Sequence, residues 1–107
     1  MRPIYVEDPA MATYIGLLKY TDQGIKNTKG APARIAAARK AALKMGCKIV
    51  SYHLTFGPYD AVVVAEANDD ESMAALTLAT AMQGNVGTLT MRAFNETEYK
   101  SIIARLS

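Results

Sequence analysis

The chain predicts an α+β fold: a β-α-β-β-α-β run forming one four-stranded antiparallel sheet in the order 4-1-3-2, followed by a C-terminal helix. Three observations predict it. Side chains alternate with period two on both sides of the tight turn at Gly57-Pro58. Helical spacing of apolar residues, each time behind a capping residue, recurs at about 32–45, 68–82 and 95–106. Right-handed crossovers then leave this strand order, the ferredoxin-like arrangement.

Each element has its own signal. Residues 13–20, TYIGLLKY, are rich in β-branched, aromatic and aliphatic side chains and form the first strand. Thr21 or Asp22 caps a short helical turn over 22–29. Gly30 and Pro32 separate it from the main helix, because proline suits only a first helical turn. That helix runs from about 32 to 45, stops at Gly46, and turns a narrow stripe of Ile35, Ala38, Ala42 and Met45 inward. Asn68, with Glu71 three residues on, caps the next helix, whose inward face is expected to carry Ala75, Leu78, Ala79 and Met82. Asn95 and Glu98 repeat the capping pattern for the last helix, expected to dock by Tyr99, Ile102, Ile103 and Leu106.

The hairpin turn fixes a register in which Tyr52 opposes Val63, His53 opposes Val62, and Leu54 opposes Ala61. Opposed residues share a face. One face then carries Val50, Tyr52, Leu54, Phe56, Tyr59, Ala61, Val63 and Ala65. The other carries Ile49, Ser51, His53, Thr55, Asp60, Val62, Val64 and Glu66. On the fourth strand Leu89, Met91 and Ala93 are expected on the apolar, helix-covered face, with Thr88, Thr90, Arg92 and Phe94 on the mixed one. Ile49, Val62, Val64 and Phe94 would leave an apolar patch there, which predicts a homodimer or higher homo-oligomer through the mixed face.

Composition bounds the rest. A chain of 107 residues, 50% hydrophobic and 21% charged, has the balance of one globular domain, placed at 12–107. Residues 1–11, with Pro3 and Pro9 and no periodicity, read as a flexible N-terminal extension. A lone cysteine excludes an internal disulfide, and no basic segment leads into an apolar one at the start, so a cytoplasmic location is expected. No apolar run nears the roughly 18 residues of a membrane span. Seven basic residues between Lys26 and Lys48, with no acid among them, are read as a solvated helix face rather than a nucleic-acid surface, since aromatic interleaving and any known motif are missing.

Three segments in order, YTDQGIKNTKGAPAR, GPYDAVVVAEANDDE and GNVGTLTMRAF, make the chain similar to the GYD domain family over nearly all of 12–107. The family's Gly-x-Tyr-Asp motif falls on Gly57, Tyr59 and Asp60. The resemblance implies a ferredoxin-like fold of the dimeric α+β barrel type, in small bacterial proteins of unestablished biochemical role. It implies no catalytic residue.

From the residues themselves, the catalytic candidates are His53, Tyr59 and Asp60. His53, the single histidine, sits in mid-strand beside Ser51 and Thr55 as a general base or anion holder; the plainer reading is a polar residue at a dimer interface. Tyr59 and Asp60 stand at the barrel mouth, although Asp60 is read first as a partner for the turn's own N–H groups. Tyr14, Lys26, Arg34 and Arg92 are ligand-binding candidates, with an Arg92–Glu66 ion pair as the plainer role for Arg92. Cys47 has no basic neighbour to activate it. One histidine and one cysteine without ligand spacing make no metal site, and no phosphate loop or dinucleotide fingerprint calls for a cofactor. Two functions follow: a small cofactor-independent enzyme or binder acting on an organic molecule held between sheet and helices, or a non-catalytic ligand-sensing or assembly module.

Overall fold

The computed structural model describes residues 11–106, so the expected extension falls, apart from Met11, outside the described residues. The elements are β1 (Ala12–Tyr20), α1 (Asp22–Lys26), a single 3-10 turn (Thr28–Gly30), α2 (Ala31–Lys44), β2 (Cys47–Leu54), β3 (Ala61–Ala67), α3 (Asp70–Met82), β4 (Val86–Ala93) and α4 (Glu96–Ile103). The sheet order is β2-β3-β1-β4 with every pairing antiparallel, which is the predicted order read from the opposite edge.

Local chemistry sets most boundaries. The Thr21 hydroxyl accepts the Gly24 N–H at 3.0 Å and starts α1. Pro32 lies in the first turn of α2, where its missing N–H costs nothing. α4 opens with the full capping box: Asn95 accepts the Glu98 N–H at 2.7 Å and Glu98 accepts the Asn95 N–H at 3.0 Å. For α3 the cap is one residue later than expected. Asp69, not Asn68, accepts the Ser72 N–H at 2.7 Å, and these bonds hold its carboxyl below the usual range.

The hairpin register is as the turn predicts from Ser51↔Val64 to Leu54↔Ala61. Below it the ladder shifts between Ile49 and Ser51, so Ile49 opposes Ala65 and Cys47 opposes Ala67. This bulge at Val50 moves Ile49 off the mixed face, where simple alternation puts it, and packs it against the core of Tyr14, Ala42, Cys47, Ala65, Ala67, Met73 and Leu76.

Three further expectations are corrected. β4 faces the other way: Tyr14 pairs with Arg92, Gly16 with Thr90 and Leu18 with Thr88, so these threonines and Arg92 share the helix-covered face. Leu89 and Met91, opposite Leu17 and Ile15, point away from the helices. The apolar half of an edge strand does not choose its face by itself; its register with β1 does. In α3 the buried side chains are Met73 and Leu76, while Leu78 and Met82 are 65% and 84% exposed. Alanine, leucine and methionine lie all around this helix, so periodicity alone cannot select the inward face. Finally, no residue of α4 is buried, and Tyr99 and Leu106 are 61% and 70% exposed. The stripe is present but does not dock on its own subunit. The α2 stripe stands as predicted, with Ala42 fully buried.

Candidate functional site

Two surfaces could carry function, one on each side of the sheet. The helix-covered side holds a cavity of about 120 Å³ between α2, α3 and the strands. Its floor is Gly16 and Leu18 of β1 with Val63 and Ala65 of β3. Ile35 and Ala38 of α2, Ile49, Met73 and Leu76 complete an apolar wall. Polar groups lie on two sides. Arg34 stands with Tyr20 and Tyr52, and the Tyr52 phenol is pushed up by burial first and by Tyr20 second, with Arg34 opposing. Thr77 and Thr80 of α3 face Thr88 and Thr90 of β4. Thr77 and Thr80 donate to the Met73 and Leu76 carbonyls, both at 2.9 Å, so their oxygens are left as acceptors; Thr90 lies 3.5 Å from Thr77.

The predicted residues divide between structural work and this cavity. Asp60 is a clasp: its carboxylate accepts the Tyr20 N–H at 2.8 Å and its own N–H donates to the Leu18 carbonyl at 2.8 Å. It therefore ties the hairpin to the end of β1, rather than bonding the turn's own N–H groups. The Thr55 hydroxyl donates to the Tyr59 carbonyl at 2.8 Å, and Lys19 donates to the Pro58 carbonyl at 3.3 Å. Gly57 has the positive φ of 99° that the turn demands. His53 is exposed at one end of the uncovered side of the sheet. None of His53, Tyr59 and Asp60 lines the cavity.

Tyr14 is buried beneath α3, donates its phenol proton to Asp70, and has Arg92 over its ring at 5.7 Å. Burial first, and then the Asp70 bond and charge, push its pKa up to about 12. Arg92 bridges to Glu98 at 3.3 Å and stacks on Phe94 at 4.5 Å. Its partner is thus on α4, not Glu66, because β4 is turned the other way. Burial alone pushes the Glu66 carboxyl up. Lys26 lies exposed at the end of α1, outside the cavity; of the ligand-binding candidates only Arg34 lines it. Burial pushes the Cys47 thiol up, so it stays protonated. Pattern reading missed the threonine wall. Its signal is Thr77 and Thr80 at i and i+3 on a helix, opposite Thr88 and Thr90 at i and i+2 on a strand.

The other side, which no helix of the described residues covers, carries Ile15 and Leu17 of β1, Val62 and Val64 of β3, and Leu89 and Met91 of β4, in two rows that end at Ser51 and His53 of β2. Leu89 and Met91 are 45% and 41% exposed. Among the described residues, no group of three or more His, Cys, Asp or Glu is placed to hold a metal ion, and no helix is long and apolar enough to cross a membrane.

The chain is 34% identical over 97 residues, covering 90% of itself and 99% of the relative, to a protein of Thermus thermophilus named glutamine synthetase and cystathionine beta-lyase binding protein. The GYD domain profile matches residues 14–103, nearly the whole described fold with the hairpin tip included. The chain belongs to the GYD domain family.

Proposed function

We propose that this protein is a non-catalytic binding module that pairs with a second copy of itself over the uncovered face of the sheet and offers α4 to a partner enzyme. The observation that carries the reading is the row structure of that face: six apolar side chains lie side by side, Leu89 and Met91 exposed and the other four half-buried, a patch that folded monomers seldom keep. The two rows hold no carboxylate, lysine or arginine, and the next row of the same face pairs Lys48 with Glu66, one charge of each sign. The exposed Tyr99 and Ile103 of α4, with Leu106 just past its end, supply the aromatic and aliphatic anchors typical of a helix that docks on another protein. Asp60 supports binding over chemistry, because its carboxylate is occupied by the Tyr20 N–H. A relative named for binding two enzymes supports the partner class.

The test has two arms. Sedimentation equilibrium at micromolar concentration is expected to give a dimer that Leu89→Glu with Met91→Lys dissociates; a monomeric wild type overturns the pairing. Titration against purified glutamine synthetase and cystathionine beta-lyase from the same cell is expected to give saturable binding to at least one. Ile103→Glu should weaken that binding about tenfold or more while leaving the dimer intact. Binding to neither enzyme overturns the partner assignment.

A further inference from the structure

Gly16 has no local reason to be glycine. It lies in the middle of the central strand and is absent from the positive-φ positions, which are Gly46, Gly57 and Gly84. A Cβ built on it would meet nothing nearer than the Val63 Cβ at 3.9 Å and the Leu18 Cδ2 at 4.0 Å. Glycine in a strand interior weakens the strand and often marks a place where a ligand comes close to the backbone. Here the missing side chain opens directly into the cavity under α2 and α3.

We propose that this cavity is a binding site for a small monocarboxylic acid, whose aryl or branched alkyl body lies over Gly16 and whose carboxylate meets Arg34 beside Tyr20 and Tyr52. Size sets the body: a dry apolar cavity of about 150 Å³ takes a benzene ring, and this one, at about 120 Å³, takes one ring or a short branched chain. Chemistry sets the head. Arg34 gives one N–H to the Asn27 carbonyl at 2.8 Å, and the rest of its planar fork suits a carboxylate. The two phenols beside it are further donors to an anion. The acid-free stretch from Lys26 to Lys48, which includes the whole of α2, adds a positive field on the same side. No lysine or second arginine lines the cavity, so a singly charged head fits better than a phosphate. The site is on the opposite side of the sheet from the dimer face, so it stands or falls independently of the pairing.

Calorimetric titration with benzoate and with 3-methylbutanoate tests it on the full chain. At least one is expected to bind with a Kd below about 1 mM, with benzamide about tenfold weaker or worse and 2-naphthoate excluded by size. Arg34→Met should weaken the acid about tenfold or more, while the loss of its exposed bond to Asn27 leaves the protein folded. Gly16→Val should fill the floor and abolish binding while the protein stays folded; if that variant does not fold, Ala38→Leu narrows the same cavity from α2. No binding of either acid, equal binding of benzamide, or unchanged affinity in both filled variants overturns the proposal.

Discussion

The two faces of the sheet differ in what they leave unfilled. Beneath the helices the strands mix bulk with small residues: Tyr14, Leu18, Ile49 and Val63 pack there, while Gly16, Ala65, Thr88 and Thr90 leave room between them. Facing away, where polar groups are normally found, they offer Ile15, Leu17, Val62, Val64, Leu89 and Met91. Small residues under helices leave a cavity, and large residues toward water call for a cover. A single cause does not account for both. The covered face leaves an internal space, and under the proposed function the other face is the one that meets a second copy.

The sharpest way to break this contrast is to shorten one leucine on each side. Leu76, on the buried side of α3 and part of the core, should cost about 3 kcal/mol when changed to alanine, at any protein concentration. Leu89→Ala on the uncovered face should cost less than about 0.5 kcal/mol in the dilute subunit and show its effect only as weaker association. Urea unfolding at two protein concentrations, together with sedimentation, reads both. Equal losses in the dilute subunit would mean that the face assigned to water is part of the subunit's own core.

What the sequence made legible follows the same division. The hairpin register, the α2 stripe and the α4 capping box were readable, because each depends on residues close along the chain: Gly57 at the turn, Ala42 on its helix, Asn95 and Glu98 three apart. Strand order was readable as well, since it rests on connection rules. Facing was not. The direction of Leu89 depends on its pairing with Leu17, far away in the chain, and Ile49 changed sides through a bulge that no local pattern announces. The inward side of α3 was hidden by its even spread of alanine and leucine, and the docking of α4 was expected on the assumption that an apolar stripe serves its own subunit. For the site, Arg34 was named from its place beside the Gly30-Pro32 break, while Asp60 was placed correctly in the turn region but its bond to Tyr20, forty residues away, needed the fold.

Two glycines sharpen the comparison by sign. Gly57→Ala, at a φ of 99° with nothing within 4 Å of the added Cβ, should cost roughly 1 kcal/mol or more from backbone strain alone. Gly16→Ala, with ordinary contacts and no positive φ, should stabilise the empty protein by about 0.5–1 kcal/mol. Thermal unfolding of both variants decides. A loss at Gly16 would show that the strand needs its glycine for packing, and the ligand argument would lose its first premise.

The smallest effect concerns Tyr14, which seals the covered face from the α3 end. Its phenol stands at about 12 against an ordinary value of 10.0, with burial the larger cause and the Asp70 hydrogen bond and charge behind it. The folded state therefore favours the neutral phenol. That contribution is complete below pH 10 and is lost as pH rises from 10 through about 12. Wild-type stability should accordingly fall more steeply than that of Tyr14→Phe over this interval. Near neutral pH the substitution should cost about 1 kcal/mol or less, because the exposed Asp70 carboxylate recovers its hydration when the bond is removed. Lysine titration contributes to both proteins and cancels in the difference. Since Tyr14 lies beneath α3, the difference must not depend on protein concentration; if it does, the ring belongs to an interface between subunits, and the division between a covered face and a pairing face is drawn in the wrong place.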